Sequence, residues 1–227
     1  IYNEDCFKTM ERMSSELCAN ILTSPFYNTN KKQCKSNTLM KSNNASSKFP
    51  YLRYDTHVDN MTDEEYCNFT HKLFLEFDRI LNQHGTVLYN LSYGNNNRDG
   101  MFKSSAMPNN CSPNKLTRIT EFVFVFCKKD QIDTFYCNKP IVSYRKTGQA
   151  SYGNIFNFIE AKNNDGSCPY NKATYSSDLC KQLLNIYGCK DGIVYDPFMG
   201  TGTTAVACKE LSINYIGSEI SKNQCEW

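Results

Sequence analysis

Asp196-Pro197-Phe198-Met199-Gly200-Thr201-Gly202-Thr203-Thr204 is the stretch of this chain most suited to chemistry. It follows the apolar run Gly192-Ile193-Val194-Tyr195 and leads into Ala205-Val206-Ala207-Cys208-Lys209-Glu210-Leu211. That pattern predicts a strand, a glycine-rich turn and a helix. Glycines at 200 and 202 let backbone approach a ligand where a Cβ would clash. The helix that follows aims unpaired N–H groups at whatever sits in the turn. No Gly-Lys-Ser/Thr follows, and the carboxylate of Asp196 would repel phosphate. An acid in that place suits a cationic or hydroxyl-bearing ligand. A second strand, Tyr215-Ile216-Gly217-Ser218, ends in Glu219, 23 residues after Asp196. The spacing is close to the ~20 residues between a nucleotide-binding turn and the acid that takes ribose hydroxyls. Alone, the turn is equally compatible with an ordinary strand-to-helix connection.

A second stretch, Ala19-Asn20-Ile21-Leu22-Thr23-Ser24-Pro25-Phe26-Tyr27-Asn28, reads as an apolar strand ending in Ser-Pro-Phe-Tyr. A helix cannot run into Pro25, so Ser24 is expected at the strand's carboxyl end, where open parallel sheets bind ligands. Together the two stretches resemble the signature motifs of the DNA amino-methyltransferases. The order, Ser-Pro-Phe-Tyr first and the glycine-rich turn last, looks like the family's β class, and the resemblance covers nearly the whole chain. It implies an enzyme that moves a methyl group from S-adenosylmethionine, leaving S-adenosylhomocysteine, to adenine N6 or cytosine N4 of double-stranded DNA. The implied fold is α/β: a Rossmann-like class I methyltransferase sheet with helices on both faces, circularly permuted so that the catalytic motif precedes the cofactor motif. The two motif strands must then lie side by side.

The resemblance also distributes roles. Ser24, Pro25, Phe26 and Tyr27 match the catalytic turn, with Phe26 where a second proline usually stands. Asp196, Pro197, Phe198, Gly200, Gly202 and Thr203 would line the methionine and sugar of the cofactor, and Glu219 would accept the ribose hydroxyls. Asp5 matches an acid that hydrogen-bonds the adenine amine, with Cys6 beside it; a helix N-cap is the equal alternative for Asp5, and one residue can do both. Lys172, Ala173 and Thr174 match a contact to the methionine end. Lys31, Lys32, Arg53, Lys115 and Arg118 are the candidate DNA contacts.

The chemistry those roles serve is specific. An exocyclic aromatic amine is a poor nucleophile because its lone pair is delocalised into the ring. Ser24 Oγ and the Pro25 carbonyl would each accept one amine N–H and push the nitrogen toward tetrahedral geometry. Positioning of that kind supplies several kcal/mol of a barrier. Tyr27 would stack on the base, which must first leave the duplex. No metal and no covalent enzyme intermediate are required. Losing the second proline removes a fixed φ but adds a stacking or wedge surface, so activity is expected to survive. A serine in first place is commoner among cytosine-N4 enzymes of the resembled family, although adenine-N6 enzymes also vary there. The alternatives are an RNA or protein-glutamine methyltransferase and a catalytically silent DNA-binding relative.

Composition sets the frame around the two turns. The chain has 227 residues, 40% hydrophobic and 21% charged, which fits a single globular methyltransferase domain over 1–227. No apolar run reaches the ~18 residues of a membrane span, and no signal peptide is visible. Net charge is only +2, so any nucleic-acid surface is a local patch. The twelve cysteines form no CxxC pair, and the three histidines show no ligand spacing with them, which argues against a zinc site. Asn-x-Ser/Thr triplets at Asn44, Asn60, Asn68, Asn90 and Asn110 would fit a secreted disulfide protein. The chain is too large to need such staples, so reduced, mostly buried thiols and an intracellular, reducing location are expected. A homodimer and a cognate restriction endonuclease complete the expected partners.

Several elements must position these residues. A helix is expected from Phe7 to about Met13. Residues 28–53, rich in lysine and poor in acid, read as a mobile basic loop placed to clamp DNA phosphates. Thr62-Asp63-Glu64-Glu65 signals a capping box. In the helix from Glu64 to Leu81 behind it, Tyr66, Phe69, Leu73, Phe77 and Ile80 form a core stripe. Thr86–Leu91 and Phe122–Phe126 read as strands buried on both faces. The fold calls for a helix and a further strand between them, yet residues 95–119 read as loop. Residues 128–170 correspond to a short target-recognition segment. A helix from Ser177 to Ile186, capped by Ser177, follows.

Overall fold

The computed structural model describes residues 1–26, 28, 61–91, 121–162, 165, 168, 170–171 and 174–227. Five strands form a mixed sheet: β1 (Cys18–Thr23), β2 (Leu81–Leu91), β3 (Phe122–Cys127), β6 (Ile193–Asp196) and β7 (Asn214–Gly217), in the order β3-β2-β1-β6-β7. β1 runs parallel to both β2 and β6, β6 is parallel to β7, and β2 pairs antiparallel with β3. The strands that carry the two motifs are therefore direct neighbours. Ile21 pairs with Tyr195, so Thr23 and Asp196 end within a residue of each other at one edge.

Consecutive residues of these strands point to opposite faces, and the packing follows that alternation. Ile21, Val87 and Tyr195 enter one core with Cys6 and Met10 of α1 (Cys6–Arg12) and Leu73, Phe77 and Ile80 of α2 (Asp63–Ile80). Leu22, Leu88 and Val194 enter the other, with Cys180, Leu183 and Leu184 of α3 (Ser177–Tyr187) and Ala207 and Cys208 of α4 (Thr203–Glu210). Helices thus cover both faces of the central strands.

The capping box at α2 is present: Thr62 Oγ accepts from Glu65 N–H at 3.2 Å, and Glu65 Oε2 accepts from Thr62 N–H at 2.8 Å. α1 starts one residue earlier than expected, with Asp5 as N-cap. The cap of α3 is Ser176, whose Oγ accepts from Leu179 N–H; Ser177 is already helical. The largest departure is β3. Among the described residues it is an edge strand rather than one covered on both faces, with Phe122 48% and Phe124 37% exposed. An uninterrupted apolar run looks the same in either place. The stretch 95–119, which reads as loop where the fold calls for a helix and a strand, lies outside the described residues, as does most of the 28–53 loop.

Within 128–170, β4 (Ile141–Tyr144) and β5 (Ala150–Tyr152) form a separate antiparallel hairpin. Its turn is closed by Arg145 N–H on the Gln149 carbonyl at 2.8 Å. A last short helix, α5 (Lys222–Cys225), follows β7.

Candidate active site

At the carboxyl edge of β1 and β6 the two turns face a common cavity of about 330 Å³. Ser24 and Phe26 contribute to one wall; Pro197, Phe198, Gly200 and Thr203 contribute to another. Asp5, Cys6, Thr174 and Glu219 complete the set of expected residues that reach it. The volume lies at the lower end of small-molecule sites.

On the Ser24 side, packing stands in for the second proline. The Phe26 ring lies 5.0 Å from Phe69, 5.7 Å from Tyr66 and 6.0 Å from Phe198, centroid to centroid. Its carbonyl accepts from the Tyr66 hydroxyl at 3.0 Å. A turn that proline would stiffen through φ is here held by an aromatic cluster and a hydrogen bond. Asn28, at φ 47°, clips the chain to the start of α2: its amide donates to the Met61 carbonyl at 3.0 Å and accepts from Met61 N–H at 2.7 Å. Pro25 is buried, and Tyr27 lies outside the described residues.

On the other side, Gly200 and Gly202 take φ 56° and φ 87°, left-handed values that favour glycine. A Cβ on Gly200 would sit 3.2 Å from the Asn171 amide nitrogen. Glu219 is buried against the turn: Oε2 accepts from Gly200 N–H and Oε1 from Ser221 N–H, both at 2.8 Å. Asp5 accepts from Phe7 N–H at 2.9 Å, so it caps α1 and also lines the cavity. Burial pushes the Cys6 thiol up to about 12, which keeps it protonated and a poor nucleophile.

Asp196 departs from its expected place. It is fully buried beneath the turn rather than on the cavity wall. Its carboxylate accepts from Thr23 Oγ at 2.8 Å, Thr204 Oγ at 2.6 Å and Phe198 N–H at 3.0 Å, and the Tyr175 hydroxyl oxygen lies 3.3 Å from it. Burial pushes this carboxyl up, while the donors pull it back down. Gly202 is likewise set back as the N-cap of α4. Lys172, Ala173, Lys31, Lys32, Arg53, Lys115 and Arg118 lie outside the described residues.

Some wall residues had no signal in the sequence. Phe69 belongs to the helical stripe read as core, yet it faces the cavity. Asn171 and Gln224 meet through Nδ2 on Oε1 at 2.9 Å, 53 positions apart in the chain. Only folding brings such a pair together. Tyr175, directly after the matched Thr174, also lines the cavity.

A family model described as DNA methylase, of the N6/N4 methyltransferase type, matches residues 19–227. The chain belongs to this DNA methylase family. Among curated relatives, the orphan methyltransferase M.BamHII of Bacillus amyloliquefaciens is 26% identical over 168 residues, 62% of this methylase chain and 63% of its own length. The type II methyltransferase M.BsoBI of Geobacillus stearothermophilus is 34% identical over 92 residues, covering 40% of this chain and 15% of its own. Among solved structures, the cytosine-N4-specific PvuII DNA methyltransferase superposes with a TM-score of 0.62 at 14% identity, covering 97% of this chain and 81% of that one. An M1.HpyAVI–SAM complex gives 0.52 at 18% identity, covering 99% and 94%. The methylase chain therefore shares their fold, with the motif strands adjacent. It spans less than two thirds of the length of the two curated relatives named.

Proposed function

We propose that this methylase transfers a methyl group from S-adenosylmethionine to an exocyclic amino group of a base flipped out of double-stranded DNA, cytosine N4 or adenine N6. One observation carries the reading: Ser24, just past β1, Gly200, beyond β6, and Glu219, beyond β7, line the same cavity. The residues present fit the cofactor. The backbone at Gly200 forms a cradle that a Cβ would crowd, and a buried carboxylate stands beside it. Glu219 would take the ribose hydroxyls, Asp5 the adenine amine, Phe198 an apolar face and Thr174 the methionine end. S-adenosylmethionine supplies an electrophilic methyl on a sulfonium.

The chain's own contribution is to hold the acceptor. Ser24 Oγ and the Pro25 carbonyl would each accept a hydrogen bond from one amine N–H and so orient the nitrogen lone pair out of the ring plane. Pro25 is buried and Phe26 is clamped, so these acceptors sit on rigid backbone, as positioning requires. Extrusion of the base is implied because an amine inside a duplex is out of reach. The serine favours cytosine.

Sequence readout falls, on the same proposal, to 128–170. A two-stranded ribbon has the width to enter a major groove. The β4–β5 hairpin is such a ribbon, with exposed Tyr144, Arg145 and Lys146 at its turn. The permuted strand order relative to other methyltransferases, a homodimer, a cognate restriction endonuclease and a place inside the cell belong to the same proposal. Among the described residues no helix is long and apolar enough to cross a membrane.

The test is methylation with labelled cofactor on DNA, RNA and protein, followed by mass spectrometry of the nucleosides. N4-methylcytosine or N6-methyladenine from DNA is the expected product. Label in RNA or protein alone would overturn the assignment.

A further inference from the structure

Methyl transfer needs the acceptor turn and the donor turn at a fixed separation, yet they come from different strands, 173 positions apart at Thr23 and Asp196. The strand pairing ends before either turn begins. Past that point the described side-chain bond between them is Thr23 Oγ donating to Asp196 Oδ1 at 2.8 Å, with both residues 0% exposed. Thr23 immediately precedes Ser24. Asp196 Oδ1 also accepts from Phe198 N–H at 3.0 Å, and Phe198 lines the cavity. The same oxygen thus joins the residue before the catalytic serine to the backbone of the cofactor turn.

The other carboxylate oxygen is held from the opposite side. Thr204 Oγ, in the first turn of α4, donates to Oδ2 at 2.6 Å. The Tyr175 hydroxyl is in short hydrogen-bond contact with Thr204 Oγ and stands 3.3 Å from Oδ2. Since the Thr204 proton goes to Asp196, the Tyr175 proton goes to Thr204 Oγ. The relay Tyr175 to Thr204 to Asp196 therefore runs in one direction, and Tyr175 itself forms part of the cavity wall. A buried network of this kind, fully satisfied, specifies one arrangement of the groups that it joins.

We propose that Thr23 and Tyr175 are positioning residues, acting through the buried Asp196 carboxylate to set the distance between the Ser24 turn and the cofactor turn. The inference rests on the proposed methyl transfer, and it reassigns Asp196 from cofactor contact to the bolt between the two half-sites. Misplacement of reacting groups by about 1 Å costs on the order of 10²-fold in rate.

The experiment compares Thr23→Val, which keeps the shape and removes the hydroxyl, with Thr23→Ser, which keeps the hydroxyl; Tyr175→Phe probes the far end of the relay. Three quantities are read for each: single-turnover methylation of DNA, cofactor affinity by calorimetry, and amide hydrogen exchange of the segments around 23–28 and 196–203. Thr23→Val should lower the single-turnover rate at least about tenfold. Its cofactor dissociation constant should stay within about twofold of the parent's, and exchange should rise in both segments together. Thr23→Ser should restore both rate and exchange. Tyr175→Phe should shift the same two segments in the same direction, more weakly.

Unchanged exchange in Thr23→Val overturns the bolt whatever the activity. Raised exchange with an undiminished rate overturns its role in catalysis. Failure of Thr23→Ser to restore exchange assigns the effect to packing and overturns it too. If the parent chain methylates nothing, the functional proposal falls, while the exchange data still decide whether Thr23 and Asp196 couple the turns.

Discussion

Ser24 and Glu219 line the same cavity, and substitutions should separate the two roles proposed for them. On the proposed function Ser24 stands on the acceptor side. Ser24→Ala would then remove one hydrogen-bond acceptor for the amine but leave the Gly200 turn untouched. The rate should fall by about 10²–10³-fold, the range for losing one preorganised partner of a reacting group. Cofactor affinity measured by calorimetry should hardly change; equal loss of both would contradict the assignment. Glu219 has a structural job besides the binding role proposed for it, because its carboxylate takes the N–H groups of Gly200 and Ser221. Glu219→Ala should weaken cofactor binding by ~1–3 kcal/mol, the cost of unpaired polar groups and a lost charged acceptor. It should also lower the melting temperature, since the turn loses its anchor. An unaltered dissociation constant would refute the binding role. At this scale the motif residues were legible because each has a distinctive type in a fixed local spacing. Asn171 and Gln224 were not, since nothing local marks an amide whose partner is 53 positions away. Asp196 was recognisable as important, but its direction was not: a carboxylate after a strand reads alike whether it points at a ligand or under the turn.

Among the elements, β1 shows why the site holds its shape. All six of its residues are buried, and Asn20 is a polar residue in the middle of it. Its amide donates to Thr86 Oγ at 2.9 Å and to the Tyr187 carbonyl at 2.8 Å, and it accepts from Cys189 N–H at 3.1 Å. One side chain thus ties β1 to β2 and to the carboxyl end of α3, and every polar group is satisfied. Asn20→Ala leaves Tyr187 O and Cys189 N–H without this partner and opens a small void. It should cost about 2–4 kcal/mol in chemical denaturation, from unsatisfied groups at about 1–3 kcal/mol with a cavity term added. A loss below 1 kcal/mol would show that water or a backbone shift compensates. Elements with a boundary signal were legible to within a residue, as at Thr62 and Glu65. Those defined only by apolarity were placed but not oriented: β3 has the run of a buried strand and the position of an edge, and neighbour count is a property of topology, not of local sequence.

The whole molecule stores thiols where charge is costly. Five of the ten cysteines that the structure describes are buried, and none of the ten is in a disulfide. Burial pushes Cys6, Cys18 and Cys208 each up to about 12. An unfolded chain titrates its thiols near ~8.5, so the folded values are raised. The stability that these thiols contribute is therefore complete below the unfolded value and is lost as pH rises toward 12. Between those limits each buried thiol takes about 1.4 kcal/mol from the folded state per pH unit, because only the unfolded chain releases its proton. Three such groups remove roughly 4 kcal/mol for one unit, a large share of the 5–15 kcal/mol typical of a domain. Unfolding free energy from urea titration should thus fall steeply above about pH 9, ahead of any change in the cavity itself. Cys208 isolates the effect, since it lies in the α3–α4 core and is not part of the cavity wall. Cys208→Ala removes one ionisable group, so its stability curve should be shallower by about 1.4 kcal/mol per pH unit in that window. A variant with the same slope as the parent would mean that the thiol already ionises, or meets water, in the folded protein.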